Sequence, residues 1–355
     1  MEGRMTMSRQ ARLYIEYEGE DISADISSSI LSFSYTDNAS GKADEIQLRL
    51  EDVKGLWKGL LYPKKGSAIK ASIIADNWDT TGYSESLPCG LFEIDEIQLL
   101  GPPDTVEIKA VSIPISSNLR GEKKTRAWET IRLSKIASEI AAKSGLKLIF
   151  DCDEDPMYDR VEQVKQNDLE LLFKLCTDAG LAIKVANKKL IIFDEEKYEA
   201  KNAVRKIIKG EADLLSYSFS TSSRDVYKSA EINYHDPETG EKIKASFTPK
   251  NSPKVGQTLK INESSNFAKI KKSPKGAKAT LAIKKAKKRL REKNKNEFKV
   301  NLRLVGDIKL CAGSVVEIEG FGIFDGKYFI ETAVHNLDSS GYITEIEVRK
   351  TLEGY

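Results

Sequence analysis

The feature that most constrains this sequence is the alternation of apolar and polar residues in short segments near both ends of the chain. Residues 12–17, 31–35 and 46–50 alternate in this way, and Gly, Pro, Asn and Asp residues separate the segments. Side chains of a strand point alternately to its two faces, so such segments predict antiparallel sheets with one buried face. We therefore predict a mainly β chain, with one β region at residues 8–116 and a second at 207–352.

The stretch between these two regions, residues 117–206, has a different period. Its elements are predicted from apolar spacing as a helix over 127–143, a helix over 169–179 and a hairpin over 181–193. Gly145 and Gly180 follow the two helices, where glycine commonly ends a helix. We therefore predict a small α+β module between the β regions.

The second β region is interrupted by one helix. A polar stretch runs to Lys272, and a helix is predicted over about 276–293 with a narrow apolar stripe. The stripe consists of Ala279, Ala282, Ile283, Ala286 and Leu290. Further strands are predicted from Phe298 to Arg349, where the alternation resumes.

The two β regions resemble each other block by block, in the same order. The matched blocks are 29–35 with 213–219, 45–48 with 231–234, 66–70 with 313–317, 90–94 with 326–330, and 107–109 with 345–347. Alternating strands look alike, so coincidence between two unrelated β domains is the alternative, but matches in one order favour duplication of a whole domain. Glycines at strand starts and turns are predicted to set the fold, namely Gly66, Gly90, Gly313, Gly320 and Gly326.

The C-terminal region carries a pattern of glycines and apolar residues that is typical of one family. The helix is followed, in order, by Leu304-x-Gly306, Leu310-x-x-Gly313-x-x-Val316, Gly326-x-Tyr328-x-Ile330, Val334-His335 and Gly341-Tyr342-x-Thr344. This resembles the second barrel of the phage late control D family of baseplate hub proteins, and it is similar to the N-terminal half of type VI secretion spike proteins. The resemblance covers residues 10–352.

The middle module fits the same family with one departure. The stretch Gln166-Asn167-Asp168-Leu169-Glu170 leads into Leu172-Phe173, where hub proteins often have Q-x-x-E-S-D-x-x-F-L. Asn167 and Asp168 therefore stand where Glu-Ser-Asp is common. The difference keeps the chemistry of a helix start, because Asn and Asp both cap helices well.

The resemblance implies two tube-protein-like antiparallel β-barrel domains, internally duplicated, with the α+β module between them. It also implies a homotrimer whose paired barrels form a pseudo-sixfold ring that continues the tail tube, since three chains with two similar domains supply six similar surfaces. The implied partners are the tail tube protein, the central spike protein, the tape measure protein and the baseplate wedge proteins. No spike or lysozyme domain follows Tyr355, so a separate protein is expected to supply the tip.

No residue pattern indicates catalysis, a cofactor or a metal. His235 lies in a turn-like stretch and His335 at the end of a predicted strand, and neither is expected to be catalytic. The cysteines form no CxxC pair and have no histidine at ligand spacing, so four free, mostly buried thiols are expected at Cys89, Cys152, Cys176 and Cys311. Asp151-x-Asp153-x-Asp155 resembles the start of a calcium loop, but Pro156 replaces the loop's glycine, which favours a solvated acidic loop over adventitious cation binding.

The sharpest electrostatic feature is a run of Lys and Arg residues from Lys269 to Lys299. Only Glu292 and Glu297 oppose it, although the whole chain has a formal net charge of +2. Three interpretations stay open: a solvated helix face, a docking surface for an acidic neighbour, and a nucleic-acid site. The nucleic-acid site is the least favoured, because Lys predominates and almost no aromatic residue is interleaved. The residues predicted to interact are Lys284, Lys285, Lys287, Lys288, Arg289 and Arg291.

These observations predict a structural protein and not an enzyme: the hub that joins a hexameric tail tube to a central spike in a phage or phage-tail-like particle. No apolar run approaches the roughly 20 residues that span a bilayer, so no membrane anchor is expected. The chain is expected to be made in the cytoplasm of a bacterial host and assembled into a tail baseplate. Two alternatives are a tail-associated peptidoglycan hydrolase and a nucleic-acid-binding protein that uses the basic helix at 269–299.

Overall fold

In the computed structural model of the protein, the described residues are 8–59, 62–113, 119, 121–223, 226–235, 242–250, 256–263, 275–352, 354 and 355. We call residues 8–113 the first half. Its elements are β1 (Gln10–Tyr17), β2 (Glu20–Asp21), α1 (Ser23–Ile26), a 3-10 turn (Ser27–Ser29), β3 (Ile30–Asn38), β4 (Glu45–Glu51), β5 (Ala68–Asp76), β6 (Ser84–Leu100) and β7 (Thr105–Val111). The strands pair antiparallel in the order β3-β4-β7-β6-β5-β1-β2. Alternate apolar side chains form one core, which includes Phe33, Leu48, Ile73, Phe92 and Ile94.

The middle module follows. Its elements are β8 (Lys124–Arg132), α2 (Leu133–Lys143), β9 (Lys147–Asp151), β10 (Met157–Gln166), α3 (Asp168–Ala179), β11 (Ala182–Ala186), β12 (Lys189–Phe193) and α4 (Glu195–Glu199). β8 pairs with β10, and a second sheet has the order β11-β12-β9. Helices α2 and α3 bury an apolar face in a separate core, with residues such as Ile136, Ile140, Leu172, Leu190 and Ile192. Residues 124–199 thus contain both strands and helices, and their separation as a module stays a prediction.

Local signals located α3 well and α2 poorly. Asn167 accepts a hydrogen bond from the backbone N–H of Glu170, and the carboxylate of Glu170 accepts one from the N–H of Asn167, so α3 begins with a capping box. Gly180 ends the helix in the left-handed conformation, at φ 66°. The predicted helix over 127–143 is wrong in its first part, because that part lies in β8, where Trp128 pairs with Val161 of β10.

The second half contains two sheets. Its elements are β13 (Arg205–Ile208), β14 (Leu214–Thr221), β15 (Tyr227–His235), β16 (Lys242–Phe247), β17 (Gln257–Glu263), α5 (Lys275–Asn294), β18 (Phe298–Val305), β19 (Val315–Glu319), a 3-10 turn (Gly322–Phe324), β20 (Gly326–Asp338) and β21 (Gly341–Lys350). Six strands have the order β14-β18-β21-β20-β19-β13, with β13 parallel to β19. β15, β16 and β17 form a separate sheet that packs on α5. The predicted polar stretch before Lys272 therefore contains β16 and β17, and the boundary predicted between residues 206 and 207 falls within β13.

One strand pairing joins the two halves. β20 pairs antiparallel with β3, so that both halves lie in a single sheet of 13 strands. The prediction of a mainly β chain with antiparallel sheets is confirmed. Among the described residues the pairing runs from β2 to β14 and does not return from β1 to β3, so closure of each half into a barrel stays a prediction.

The strand order of the first half is repeated in the second. Taken in order across the sheet, β3-β4-β7-β6-β5-β1 and β14-β18-β21-β20-β19-β13 follow the same sequence of connections, with β15–β17 and α5 added in the second half. Matched glycines behave alike: the N–H of Gly66 donates to Ile94 O at 2.8 Å, and that of Gly313 to Ile330 O at 2.9 Å. One sequence match was wrong, because residues 231–234 lie in β15, outside the large sheet, and β18 occupies the place of β4.

Candidate assembly surfaces

The junction between the halves is buried and packed with aromatic rings. Across it, His335 of β20 lies opposite Tyr35 of β3, with ring centroids 5.9 Å apart and planes 16° from parallel. His335 Nδ1 lies 2.7 Å from the hydroxyl of Tyr342. Burial lowers the pKa of His335 to about 4, because it penalises the charged ring, so the imidazole is neutral at pH 7. The residue therefore contributes packing and a hydrogen bond to the junction.

A buried lysine ties the middle module to this junction. Lys184 of β11 forms ion pairs with Asp37 and with Asp44, the latter at 3.0 Å, and donates to Asn38 O at 2.7 Å. Asp37 also accepts the backbone N–H of Ala312, in the second half, at 2.9 Å. Burial raises the pKa of Asp44 to about 6, with the attraction of Lys184 partly offsetting the desolvation. One cluster of charges thus contacts all three parts of the chain.

A second buried ion cluster holds the middle module to the second half. Arg349 of β21 has no solvent exposure and pairs with Glu195 at 2.9 Å, Glu199 at 2.6 Å and Glu331 at 3.1 Å. Glu195 and Glu199 lie on α4, and Arg291 of α5 also pairs with Glu199. Burial raises the pKa of Glu331. At Glu195 burial is the largest single effect, but the attractions of Arg349, Lys295 and Arg291 together outweigh it and lower the pKa. The cluster fixes α4 and α5 against β21.

The apolar side of α5 faces its own small sheet. Ala282, Ala286 and Leu290 are buried there, and Ala286 and Leu290 pack with residues of β15. Ile283 is exposed, so the stripe is narrower than the sequence predicts. The side chain of Ala279 lies outside the described residues.

The basic side of α5 faces the middle module. The contacts are Lys284 with Glu154, Lys287 with Glu196 at 3.0 Å, Lys288 with Ala179 O at 2.6 Å, Arg289 with Asp178 at 2.5 Å, and Arg291 with Glu199. Lys285 is half-buried. The acidic surface that these residues contact lies within the same chain. Docking of the basic helix to a separate acidic protein, or to nucleic acid, therefore stays a prediction and competes with intramolecular pairs.

Each carboxylate of the acidic loop has a partner within the chain, and Asp151 and Asp153 share Lys197. Asp151 accepts a hydrogen bond from the Tyr198 hydroxyl at 3.0 Å, Asp153 pairs with Lys197 at 2.6 Å, and Asp155 accepts the backbone N–H of Ser134 at 3.0 Å. Within the described part of the chain, no group of three or more His, Cys, Asp or Glu residues is arranged to hold a metal ion. The cysteines are free thiols, and burial raises the pKa of Cys176 to about 12. No helix among the described residues is long and apolar enough to cross a membrane.

The five glycines predicted to set the fold all adopt positive φ. The values are 83° at Gly66, 118° at Gly90, 85° at Gly313, 90° at Gly320 and 133° at Gly326. Gly90 also permits a close approach, since a Cβ there would lie 2.8 Å from the side-chain oxygen of Asn187. That oxygen accepts the N–H of Leu91 at 2.9 Å, which joins the first half to the β11–β12 turn.

Two surfaces were missed by sequence reasoning. Leu215 and Tyr217 of β14 are exposed large hydrophobic residues at one end of the large sheet. Leu99 and Leu100, at the end of β6, are exposed on the other half. The signal that could have found them is the comparison of the two halves, because Phe33 and His335, which match Tyr217 and Leu99, are buried in the junction.

Comparisons with known proteins give a family, a named relative and a shared fold. A sequence model of the YQBQ-like family matches residues 119–349. The chain is 23% identical, over 365 aligned positions, to a probable baseplate hub protein of Escherichia phage 186, with 94% of this chain and 91% of that protein covered. Its fold is similar to that of the 43 kDa tail protein of prophage MuSo2 from Shewanella oneidensis, with a TM-score of 0.70, 16% identity, and coverage of 96% of this chain and 98% of that one. It is also similar, at a TM-score of 0.56 and 11% identity over 98% of this chain and 78% of the other, to an E. coli component of the type VI secretion system described as structurally similar to T4 tail proteins.

Proposed function

The chain belongs to the YQBQ-like family, and from that premise we propose that it is a structural baseplate hub of a contractile phage tail or phage-tail-like particle. The relative from phage 186 is named a probable baseplate hub protein, and the alignment covers 91% of it. The similarity to the prophage tail protein supports the same class of molecule at the level of the fold. The chain is thereby assigned to the assembled particle.

The hub is a homotrimeric adaptor between a hexameric tail tube and a central spike. The observation that carries this proposal is the repeated strand order of the two halves, which includes matching hydrogen bonds at Gly66 and Gly313. We attribute the repeat to duplication of one domain. Three copies of such a chain present six similar sheets to a sixfold tube, and keep true threefold symmetry for a trimeric spike. The tape measure and wedge proteins are the expected further neighbours.

The adaptor works by geometry and not by chemistry. The two buried ion clusters, around Lys184 and Arg349, hold the three parts of the chain in one arrangement. A rigid adaptor transmits force between tube and spike without deforming. The carboxylates of the acidic loop are engaged within the chain, Asp151 and Asp153 by Lys197 and Asp155 by Ser134, which supports a structural role over hydrolysis.

The proposal is tested in particles. In a strain that produces them, loss of this protein is expected to leave tails without an organised baseplate, as seen by electron microscopy, and the intact chain supplied in trans should restore them. A label on the chain should lie at the spike end of the tube, in three copies per particle. Complete, infectious particles that lack the chain would contradict the hub role.

A further inference from the structure

We propose that β14 of one protomer pairs antiparallel with the end of β6 in a second copy of this chain, in the register by which β3 pairs with β20 inside each chain. The inference rests on the proposed hub function and names the surface by which its subunits associate. It follows from the equivalence of the two halves, from two open sheet edges, and from the exposure of apolar side chains at those edges.

Irregularities in the strands fix which residues of the halves are equivalent. The pairing of β3 with β4 skips Leu31, and that of β14 with β18 skips Leu215. The pairing of β6 with β7 skips Asp95, and that of β20 with β21 skips Glu331. Such bulges define the register of a sheet. Counting from them, Phe33 and Tyr35 of β3 correspond to Tyr217 and Phe219 of β14. In the same way, His335 of β20 corresponds to Leu99 of β6.

The two edges that would meet are both open in the single chain. β3 lies between β4 and β20, whereas β14 has only β18 beside it among the described strands. From Thr332 onward β20 lies between β21 and β3. The equivalent part of β6, from Glu96 to Leu100, has β7 on one side and no described strand on the other. An edge with unpaired N–H and C=O groups is a template for another strand.

Side chains that are buried in the internal junction have equivalents at the open edges that are exposed to solvent. Phe33 is 1% exposed in the junction, but its counterpart Tyr217 is 50% exposed. His335 is fully buried, but its counterpart Leu99 is 53% exposed. Contiguous exposed apolar side chains beside an open edge mark an interaction surface. A second copy would cover both sites at once, because each copy carries one edge of each kind.

The register follows from the internal junction. The expected pairs of opposite residues, with the β6 residue first, are Ile97 with Thr221, Gln98 with Ser220, Leu99 with Phe219, and Leu100 with Ser218. Leu99 would then pack on Phe219, in the place where His335 stacks on Tyr35. Phe219 already belongs to an aromatic cluster, with Phe321 at 4.6 Å and Phe324 at 5.1 Å between ring centroids. Pairing would end at Pro102, which has no N–H to donate.

The occupant is a second copy of the chain because the contact is head to tail. β14 ends the 13-stranded sheet, while β6 lies on the far side of the β3–β20 junction within the same sheet. One molecule therefore offers the two edges in different places. Contacts of this kind close into a ring when the rotation between copies permits it. In a ring of three copies, three β3–β20 junctions within chains would alternate with three β14–β6 junctions between chains, and all six would have the same strand register.

A disulfide across one predicted rung tests the pairing. In the full-length chain we would combine Gln98→Cys with Ser220→Cys, oxidise mildly, and separate the products on a non-reducing gel. The expected product is a covalent trimer that is absent from each single variant. The matched control combines Gln98→Cys with Ser216→Cys, which displaces one partner by about 13 Å along the strand. The control should give no more cross-linked product than the single variants.

A second measurement separates the inference from the hub role. Leu99→Lys should abolish the species near three times 39.6 kDa in light scattering while leaving thermal unfolding of the monomer unchanged. Val164→Lys, at an exposed strand residue of the middle module, is its control and should remain trimeric. A trimer that forms without the 98–220 cross-link would overturn the strand pairing and leave the hub role intact. A chain that is monomeric at every concentration and gives no cross-link would also overturn the pairing, and particle incorporation would then decide the hub role by itself.

Discussion

The indole Nε1 of Trp78, in the first half, donates a hydrogen bond of 2.5 Å to the carbonyl oxygen of Gly306, in the second half. The same indole lies 5.4 Å from the ring of Tyr342, which packs on Gly306 so closely that a Cβ there would meet the ring at 2.1 Å. Because Gly306 has no side chain, the ring of Tyr342 packs directly against its backbone, and Trp78 of the first half can reach its carbonyl oxygen. This contact supplements the β3–β20 pairing as a link between the halves.

Gly306→Ala is expected to destabilise the chain by about 1–3 kcal/mol, because the added methyl must displace the Tyr342 ring in a packed core. Urea unfolding followed by fluorescence measures the change. Gly121→Ala is the control, since a Cβ there meets nothing within 4 Å, and it should change the free energy of unfolding very little. Equal effects from the two variants would show that the close contact at Tyr342 has no energetic weight.

Lys184→Met is expected to cost about 3–5 kcal/mol, because it leaves Asp37 and Asp44 buried without a cation. Lys189→Met, at an exposed lysine of the same hairpin, should change stability by less than about 0.5 kcal/mol. Urea denaturation of both variants gives the comparison. Adding Asp37→Asn to Lys184→Met should recover part of the loss, and a further loss instead would argue against charge burial as the cause.

Stability should fall as the pH falls from 6.5 to about 4, in part because of His335. Its pKa is lowered to about 4 in the folded chain, so the unfolded state binds more protons in this window and is stabilised relative to the folded state as the pH drops. The full effect is about 3 kcal/mol, at 1.36 kcal/mol for each unit of pKa. Asp44 acts in the opposite sense, because its raised pKa means that the folded state binds more protons between about 4 and 6.

Unfolding free energies measured at several pH values separate these two groups. His335→Asn should flatten the fall between pH 6.5 and about 4, because the contribution of His335 is removed while that of Asp44 remains. Asp44→Asn should make the fall steeper. A pH profile unchanged by His335→Asn would contradict a neutral, buried imidazole at the junction.

Some elements of the fold are set by neighbouring residues and others by contacts distant in sequence. α3 was predicted closely because its start and stop are set by neighbours, Asn167 with Glu170 and then Gly180. The start of α2 was not, because the N–H of Leu133 is held by Pro156 O and that of Ser134 by Asp155, both more than 20 residues away. Alternation alone could not tell β15 from a strand of the large sheet, since both bury one face.

The contacts of the basic helix also depend on residues distant in sequence. Its charge was plain in the sequence, but its partners at Glu154, Asp178 and Glu196 lie in another part of the chain, and no local pattern connects them. The exposed edges at Leu99 and Tyr217 are likewise recognised only from the structure, in which their counterparts His335 and Phe33 are buried where β20 pairs with β3. Sequence patterns predict the strands and helices and the resemblance between the two halves. The exposed interaction surfaces depend on which strands have no neighbour in the folded chain.

The cluster around Arg349 should contribute more to stability than the outer ion pairs of α5. Arg349→Met leaves Glu195, Glu199 and Glu331 partly or wholly buried without their main cation, and a loss of about 3–5 kcal/mol is expected. Lys287→Met removes a solvent-exposed pair with Glu196 and should cost about 0–1 kcal/mol. Urea denaturation of the two variants gives both values, and hydrogen exchange should show α4 opening before the large sheet only in Arg349→Met. If the two substitutions cost the same, the middle module is held by its apolar contacts and not by this cluster.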